Sequence, residues 1–257
     1  MNIHKTAMVD RKASLGKDIT VGPNTIIYPN VEIGSGTIIG ANVVIEGATK
    51  IGRNCQVFTG AVIGNPPQDL KYAGEDTKVT IGDNSVVREY VTLNRGTVAQ
   101  GETSIGSNCL LMAYVHIAHD CIVGNSVVIA NNGTLAGHVQ VADGAIIGGL
   151  TAIHQFVKVG ELSIIGGASR VSKDIPPYTK SAGNPLKMYG LNTIGLERNN
   201  VLSETRKELK KAYRVLFRSN HNTKQALNIL EDTPSEYLEV SNFINFIRSS
   251  ERGISKE

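Results

Sequence analysis

Aliphatic residues recur at every sixth position over two long stretches of the chain. The first runs Ile3, Val9, Leu15, Val21, Ile27, Ile33, Ile39, Ile45, Ile51, Val57, Ile63. A partial stretch, Ile81, Val87, Leu93, leads to a second run: Ile105, Leu111, Ile117, Val123, Ile129, Leu135, Val141, Ile147, Ile153, Val159, Ile165, Val171. Glycine follows many of these rungs, as in Ile51-Gly52 and Ile105-Gly106. A period of six fits neither an α-helix nor a simple two-residue alternation. It predicts a hexapeptide β-helix, a solenoid of short parallel strands with Gly, Asn, Asp and Ser at its corners. Two segments break the rhythm, about 65–78 and about 95–103, and read as loops thrown out from the coil.

The solenoid is expected over residues 1–190, its regular coils ending near Asp174-Ile175-Pro176-Pro177-Tyr178, with a C-terminal helical domain over 191–257. Ser203 is placed to cap a helix burying Leu209, Ala212, Tyr213, Leu216 and Phe217. Asn222-Thr223-Lys224-Gln225 and Thr233-Pro234-Ser235-Glu236 both read as capping boxes. A last helix buries Tyr237, Val240, Phe243, Ile244 and Ile247 and stops at Gly253. These apolar stripes need a partner surface, which one end of the solenoid supplies.

With three hexads per coil, a position returns to the same face after about eighteen residues, one strand spacing of about 4.8 Å further along. Ile117, Leu135 and Ile153 then stack. His116 and His119 flank the first of these rungs, His138 follows the second and His154 the third, so four of the six histidines fall on one strip. Asp120, next to His119, can fix the imidazole tautomer and stabilise the imidazolium, the arrangement of a general base acting on an alcohol. Gly137 offers an unhindered backbone N–H for an oxyanion. His116-x-x-His119 could give two zinc ligands, but no third stands at a matching spacing, so the sequence predicts no metal. A second column, Ala113, Asn131, Gly149, Gly167, loses its side chains along the coil. It suits either the floor of an alkyl groove or close packing of corners or subunits.

The 257 residues are 41% hydrophobic, enough for a large core without staples. A net charge of +3 gives no argument for nucleic acid but permits a modest basic patch for an acidic partner. Cys55, Cys109 and Cys121 have no paired or metal-type spacing. Cys109 and Cys121 fall in the repeats as small apolar residues of a reducing compartment. The N-terminus has no apolar leader and no membrane-length apolar run follows, so the sequence reads as cytoplasmic, without membrane insertion.

Several motifs, in this order, are specific. They are Pro67-Gln68-Asp69-Leu70-Lys71-Tyr72; His116-Ile117-Ala118-His119-Asp120-Cys121; Leu135-Ala136-Gly137-His138-Val139; Gly148-Gly149-Leu150-Thr151-Ala152-Ile153-His154-Gln155-Phe156; and Asp174-Ile175-Pro176-Pro177-Tyr178 with Gly183-Asn184-Pro185. Over essentially its whole length the chain resembles the acyl-carrier-protein-dependent UDP-N-acetylglucosamine O-acyltransferases, which catalyse the first step of lipid A synthesis. The resemblance implies a mainly β, left-handed parallel β-helix with a C-terminal helical domain, against the usual right-handed crossover. It implies a homotrimer with active sites between subunits, acyl carrier protein as acyl donor, UDP-N-acetylglucosamine as acceptor, and no cofactor of the enzyme's own.

On the same resemblance His119 is the general base, Asp120 its assistant and Gly137 the oxyanion donor. Asp69, Lys71, His116, His138, His154 and Gln155 line the substrate sites. Asn192 and Arg198 match nucleotide-binding positions, where a guanidinium suits a diphosphate. Gly167 stands where the family sets acyl length, which favours the groove reading of the bare column and a long chain of about fourteen carbons. The sequence departs from the family pattern at three places. Asn94 stands for a frequent His and cannot take up a proton, Ile194 stands for a common Glu, and Pro185 for a frequent His. N-acylation of a 3-amino sugar nucleotide stays open at the Asn94 departure. A zinc-dependent hydratase and a non-catalytic scaffold are the readings from other classes.

Overall fold

Each rung residue ends a short strand whose side chain points into a narrow interior, and the residues two positions earlier point in beside it. Ile117 and Val115, Ile129 and Val127, Val141 and Val139 are all fully or nearly fully buried. The computed structural model describes residues 1–232 and 235–255. Its strands form three sheets of eleven, nine and eight members; in the coils each sheet takes every third strand in parallel, and only the last pair of the eleven-stranded sheet is antiparallel. The resulting prism is a left-handed parallel β-helix. Register follows the ladder: Ile3 pairs with Val21, Ile117 with Leu135, and Leu135 with Ile153.

The partial stretch is continuous in space. Ile51 pairs with Ile81 and Ile81 with Ile105, so the two insertions lengthen individual coils without disturbing the stack. Strand structure resumes at Lys78 after the first loop and at Glu102 after the second. Asn24, Asn42, Asn54, Asn84, Asn108 and Asn132 take positive φ between 54° and 60° at the corners. Asn is the non-glycine residue that tolerates this region best, which is why the corners are rich in it.

The position two before a rung also takes small polar residues that return a hydrogen bond to the neighbouring coil. Thr25 Oγ1 donates to the Gly40 carbonyl and Thr37 Oγ1 to that of Gly52. All three cysteines occupy this position and behave alike: the thiols of Cys55, Cys109 and Cys121 contact the carbonyls of Gly82, Gly124 and Ala136 at 3.1–3.2 Å. Burial raises their pKa, that of Cys121 to about 12, so they are packing groups with no nucleophilic character.

The last regular coil strand is Arg170–Val171. Strand Thr179–Ala182 then extends one sheet, and Lys187–Leu191 returns antiparallel to it. Four helices follow: α1 (Thr193–Arg198), α2 (Ser203–Phe217), α3 (Thr223–Asp232) and α4 (Leu238–Arg248). Leu209, Ala212, Tyr213 and Leu216 of α2 share a second core with Val240, Phe243, Ile244 and Ile247 of α4 and with Tyr178 from the end of the solenoid. Polar ties reinforce the join. Asn242 donates to Glu161 Oε1 at 3.2 Å and the Ser250 hydroxyl to Asp174 Oδ2 at 2.6 Å.

The capping box at Asn222 forms reciprocally: the Gln225 N–H bonds Asn222 Oδ1 at 2.9 Å and the Asn222 N–H bonds Gln225 Oε1 at 3.0 Å. Two expectations, the Ser203 cap and the bounds of the last helix, are corrected. Ser203 is the first helical residue; Leu202 holds the cap position, with no side-chain cap bond. The short helix α1 is capped by Asn192. The last helix begins at Leu238 and ends at Arg248, because the Ser249 N–H closes it on the Asn245 and Ile247 carbonyls before Gly253 is reached. Thr233 and Pro234 of the second capping box lie outside the described residues, and Ser235–Tyr237 are not helical. Among the described residues no helix is long and apolar enough to cross a membrane.

Candidate active site

The eighteen-residue return places two columns side by side at one corner. His119, Gly137 and Gln155 occupy the position two past their rungs; Asp120, His138 and Phe156 occupy the next. All three residues of the second column have φ between 59° and 64°. Left-handed backbone costs an L-residue roughly 1–2 kcal/mol, a strain borne here by the corner geometry. The coils are tied at this corner by His138 N–H to the His119 carbonyl (3.1 Å) and Phe156 N–H to the Gly137 carbonyl (3.2 Å).

His119 Nδ1 lies 2.7 Å from Asp120 Oδ2. A carboxylate only accepts, so Nδ1 carries the proton and Nε2 of the neutral ring is left as the basic atom. Asp120 is fully buried, yet three donors converge on it: His119 Nδ1, the Thr97 hydroxyl at 2.7 Å and the Thr97 N–H at 2.8 Å. Burial alone would raise its pKa; the bonds from His119 and Thr97 outweigh this and hold it below the usual carboxylate value. His138 Nε2 stands 3.7 Å from the same oxygen. Its ring meets His119 edge-on at 5.1 Å and stacks on Phe156 at 4.4 Å. Desolvation lowers the His138 pKa, opposed by the charge of Asp120.

Gly137 is required sterically. A Cβ there would lie 2.7 Å from His119 Cε1 and 2.8 Å from Nε2. The imidazole therefore occupies the space that a side chain at 137 would fill.

His119, His138, Gln155 and Phe156 line a cleft of about 500 Å³ whose other wall is Gln68, Asp69, Leu70 and Lys71 from the first inserted loop. Side-chain exposures of 15% for His119 and 19% for His138 leave both reachable from this cleft. The structure thus brings together His119, Asp120, Gly137, His138, Gln155, Asp69 and Lys71.

The remaining predicted residues lie elsewhere in the chain. His116 does not join the cleft: its Nδ1 bonds Thr92 Oγ1 at 2.7 Å, and burial depresses its pKa. His154 is exposed, with Nδ1 turned to the Gln155 carbonyl at 3.2 Å. Of the four histidines, His119 and His138 line the cleft within one chain, and His116 and His154 do not. The zinc argument changes as well. His119, Asp120 and His138 have ligand-type atoms within 4.8 Å of one another, so a third potential ligand does stand beside His119.

Asn192 and Arg198 line a separate pocket with Ile146, Ile164, Lys180 and Ile194. Gly167 lies on its expected column: an added Cβ would sit 3.1 Å from the Gly149 carbonyl, and one on Gly149 would sit 3.0 Å from that of Asn131. Asn94 is buried and donates from Nδ2 to the Pro66 carbonyl at 3.0 Å, so this departure from the family pattern serves to hold the first loop. Sequence reasoning missed Thr97 and Phe156. Thr97 sits in a loop outside the six-residue period. Phe156 could have been found from the register, eighteen residues after His138.

Comparison with known proteins gives one consistent result. Residues 174–255 match the model described as UDP N-acetylglucosamine O-acyltransferase, domain 2, and residues 12–47 and 102–137 match that of the bacterial transferase hexapeptide, six repeats. Acyl-[acyl-carrier-protein]–UDP-N-acetylglucosamine O-acyltransferases from Thermodesulfovibrio yellowstonii and Sulfurovum sp. are 50% and 47% identical to this chain. The first match covers 99% of both chains; the second covers 98% of this chain and 96% of its relative. The solved LpxA structure from Acinetobacter baumannii superposes with a TM-score of 0.94 at 43% identity, covering 98% of each chain. The UDP-N-acetylglucosamine acyltransferase from Campylobacter jejuni does so with a TM-score of 0.93 at 40% identity, covering 100% of each.

Proposed function

The chain belongs to the acyl-[acyl-carrier-protein]–UDP-N-acetylglucosamine O-acyltransferase family, and we propose that it performs that family's reaction. It transfers an acyl or 3-hydroxyacyl chain from acyl carrier protein to the 3-hydroxyl of UDP-N-acetylglucosamine, the first step of lipid A biosynthesis. The observation that carries the reading is the His119–Asp120 pair, locked in one tautomer and reachable from the cleft.

His119 Nε2 takes the proton of the sugar hydroxyl as that oxygen attacks the thioester carbon. Asp120 stabilises the imidazolium. The Gly137 N–H donates to the oxyanion of the tetrahedral intermediate, a role its lack of a side chain permits. The intermediate collapses by breaking the C–S bond, and the imidazolium returns its proton to the departing phosphopantetheine sulfur. General-base assistance of this kind is worth about 10²- to 10⁴-fold. Asp69 and Lys71 on the facing loop orient the sugar and acyl groups, with His138 and Gln155 lining the same cleft. No metal enters any of these steps.

His116, His154, Asn192, Arg198 and Gly167 complete the site in a homotrimer, where a neighbouring subunit faces the cleft. The Asn192–Arg198 pocket shares no lining residue with the cleft within one chain, which supports an assembly in which sites span subunits. A second pocket, between Lys187–Leu191 and α2, gathers Arg206, Lys207, Lys210, Arg214 and Arg218. Charge concentrated there suits docking of an acidic carrier protein. The reaction belongs in the cytoplasm, where acyl carrier protein is available.

The test is an assay of the purified protein against a panel of acyl carrier proteins bearing chains of defined length. UDP-N-acetylglucosamine and its 3-amino-3-deoxy analogue are compared as acceptors. Ester product with the hydroxyl sugar is expected; turnover confined to the amino sugar overturns the O-acyl reading.

A further inference from the structure

The short segment Asn94-Arg95-Gly96-Thr97 touches both walls of the active site. At its C-terminal end, Thr97 gives Asp120 two hydrogen bonds, N–H to Oδ1 at 2.8 Å and hydroxyl to Oδ2 at 2.7 Å. The direction of the hydroxyl is fixed, because Thr97 Oγ1 accepts the Ala99 N–H at 3.2 Å while its own proton goes to the carboxylate. Asp120 Oδ2 is the oxygen that also holds His119. Thr97 and Asp120 are both buried, so water cannot stand in for the missing donor.

At its N-terminal end the same segment grips the loop that carries Asp69 and Lys71. Asn94 Nδ2 bonds the Pro66 carbonyl. Arg95 bonds the Tyr72 hydroxyl through Nε at 3.0 Å and the Gly64 carbonyl through Nη1 at 2.9 Å, its guanidinium 5.6 Å from the Tyr72 ring centroid. Between the two ends, Gly96 is packed too closely for any side chain, since a Cβ would lie 2.4 Å from the Glu102 nitrogen. The Gly96 carbonyl is held by the Thr77 hydroxyl at 2.6 Å. The segment is therefore a braced strap with little freedom of its own.

We infer that Thr97 is a positioning residue for the His119–Asp120 pair, and that the strap makes the placement of this pair depend on the seating of the Asp69–Lys71 loop. The inference rests on the acyl-transfer reading above. Thr97 touches no reacting atom; it sets the plane of the Asp120 carboxylate and hence the orientation of the His119 ring. Arg95 sets the loop, and the rigid strap passes its position to Thr97.

Thr97→Val, Thr97→Ser, Arg95→Met and Arg95→Met/Thr97→Val are compared by steady-state kinetics with acyl carrier protein and UDP-N-acetylglucosamine. Thermal melts confirm that each variant is folded. Thr97→Val is expected to lower kcat at least tenfold while KM for the sugar nucleotide stays within twofold, and Thr97→Ser to restore most of it. Arg95→Met is expected to lower kcat in the wild-type background and to have little further effect beside Thr97→Val, the non-additivity of two residues acting through one path. A folded Thr97→Val with wild-type kcat overturns the positioning role, and fully multiplicative losses overturn the coupling. His119→Ala, run alongside, keeps the two levels apart. Its retention of activity counts against the acyl-transfer reading, whereas an inactive His119→Ala beside an unimpaired Thr97→Val counts against this inference alone.

Discussion

Replacing Gly137 with Ala adds one methyl group and keeps the backbone N–H, so it separates the steric role of this residue from its role as an oxyanion donor. The new carbon would stand 2.7 Å from His119 Cε1, about 0.8 Å inside the ~3.5 Å at which carbon atoms pack comfortably. Either the imidazole or the backbone must give way. Turning the ring breaks the 2.7 Å bond to Asp120 and leaves a fully buried carboxylate short of one donor, a cost of about 1–3 kcal/mol. Moving the backbone instead strains the two bonds that tie these coils, His138 N–H to the His119 carbonyl and Phe156 N–H to the Gly137 carbonyl. Both routes displace Nε2 by a large fraction of an ångström, and an error of about 1 Å at a reacting group costs about 10²-fold. The expected result is a loss of about 10²-fold in kcat with the protein still folded, read by steady-state kinetics beside a thermal melt. A Gly137→Ala protein within threefold of wild-type kcat refutes the placement of His119 on which the mechanism depends.

Other outcomes follow from the same geometry. Asp120 is held below the ordinary carboxylate pKa of about 3.9, so the unfolded chain binds more protons across that window and stability rises with pH there. The melting-temperature gap between wild type and Asp120→Asn should be constant near neutrality and close as pH falls below about 4; a gap unchanged at pH 3 contradicts the assignment. Asn222→Ala should cost about 1 kcal/mol in a denaturant melt by opening the capping box of α3, and no change would mean the box carries no stability. Gly167→Met should shift acyl preference toward shorter chains in the carrier-protein panel; an unchanged preference removes this residue as the ruler. Treatment with a strong chelator should leave turnover intact, whereas loss restored by zinc would turn the His119–Asp120–His138 group into a metal site.

The six-residue ladder made the solenoid legible because each rung has a single physical task, filling a narrow interior. Even the two insertions did not hide it, since Ile81, Val87 and Leu93 still mark the register. The ladder also placed His119, Gly137 and His138 correctly in relation to one another. His116 and His154, on the same coil levels, do not line the cleft of a single chain, and a shared level alone could not have told that. Thr97 was invisible for a different reason: its partner is twenty-three residues away across an irregular loop, where no period sets the register. Ser203 and Gly253 misled because the backbone closed the ends of α2 and α4 with other groups. The capping box at Asn222, whose bonds are local, was read correctly.

The most direct measurement is single-turnover acyl transfer by wild type and His119→Ala, with acyl-loaded carrier protein and UDP-N-acetylglucosamine both saturating. Loss of the general base predicts a rate reduced by at least about 10²-fold, in a variant whose melting temperature and oligomeric size match wild type. A folded His119→Ala protein that keeps more than about a tenth of the wild-type rate falls outside the range for general-base catalysis and contradicts the central role given to His119.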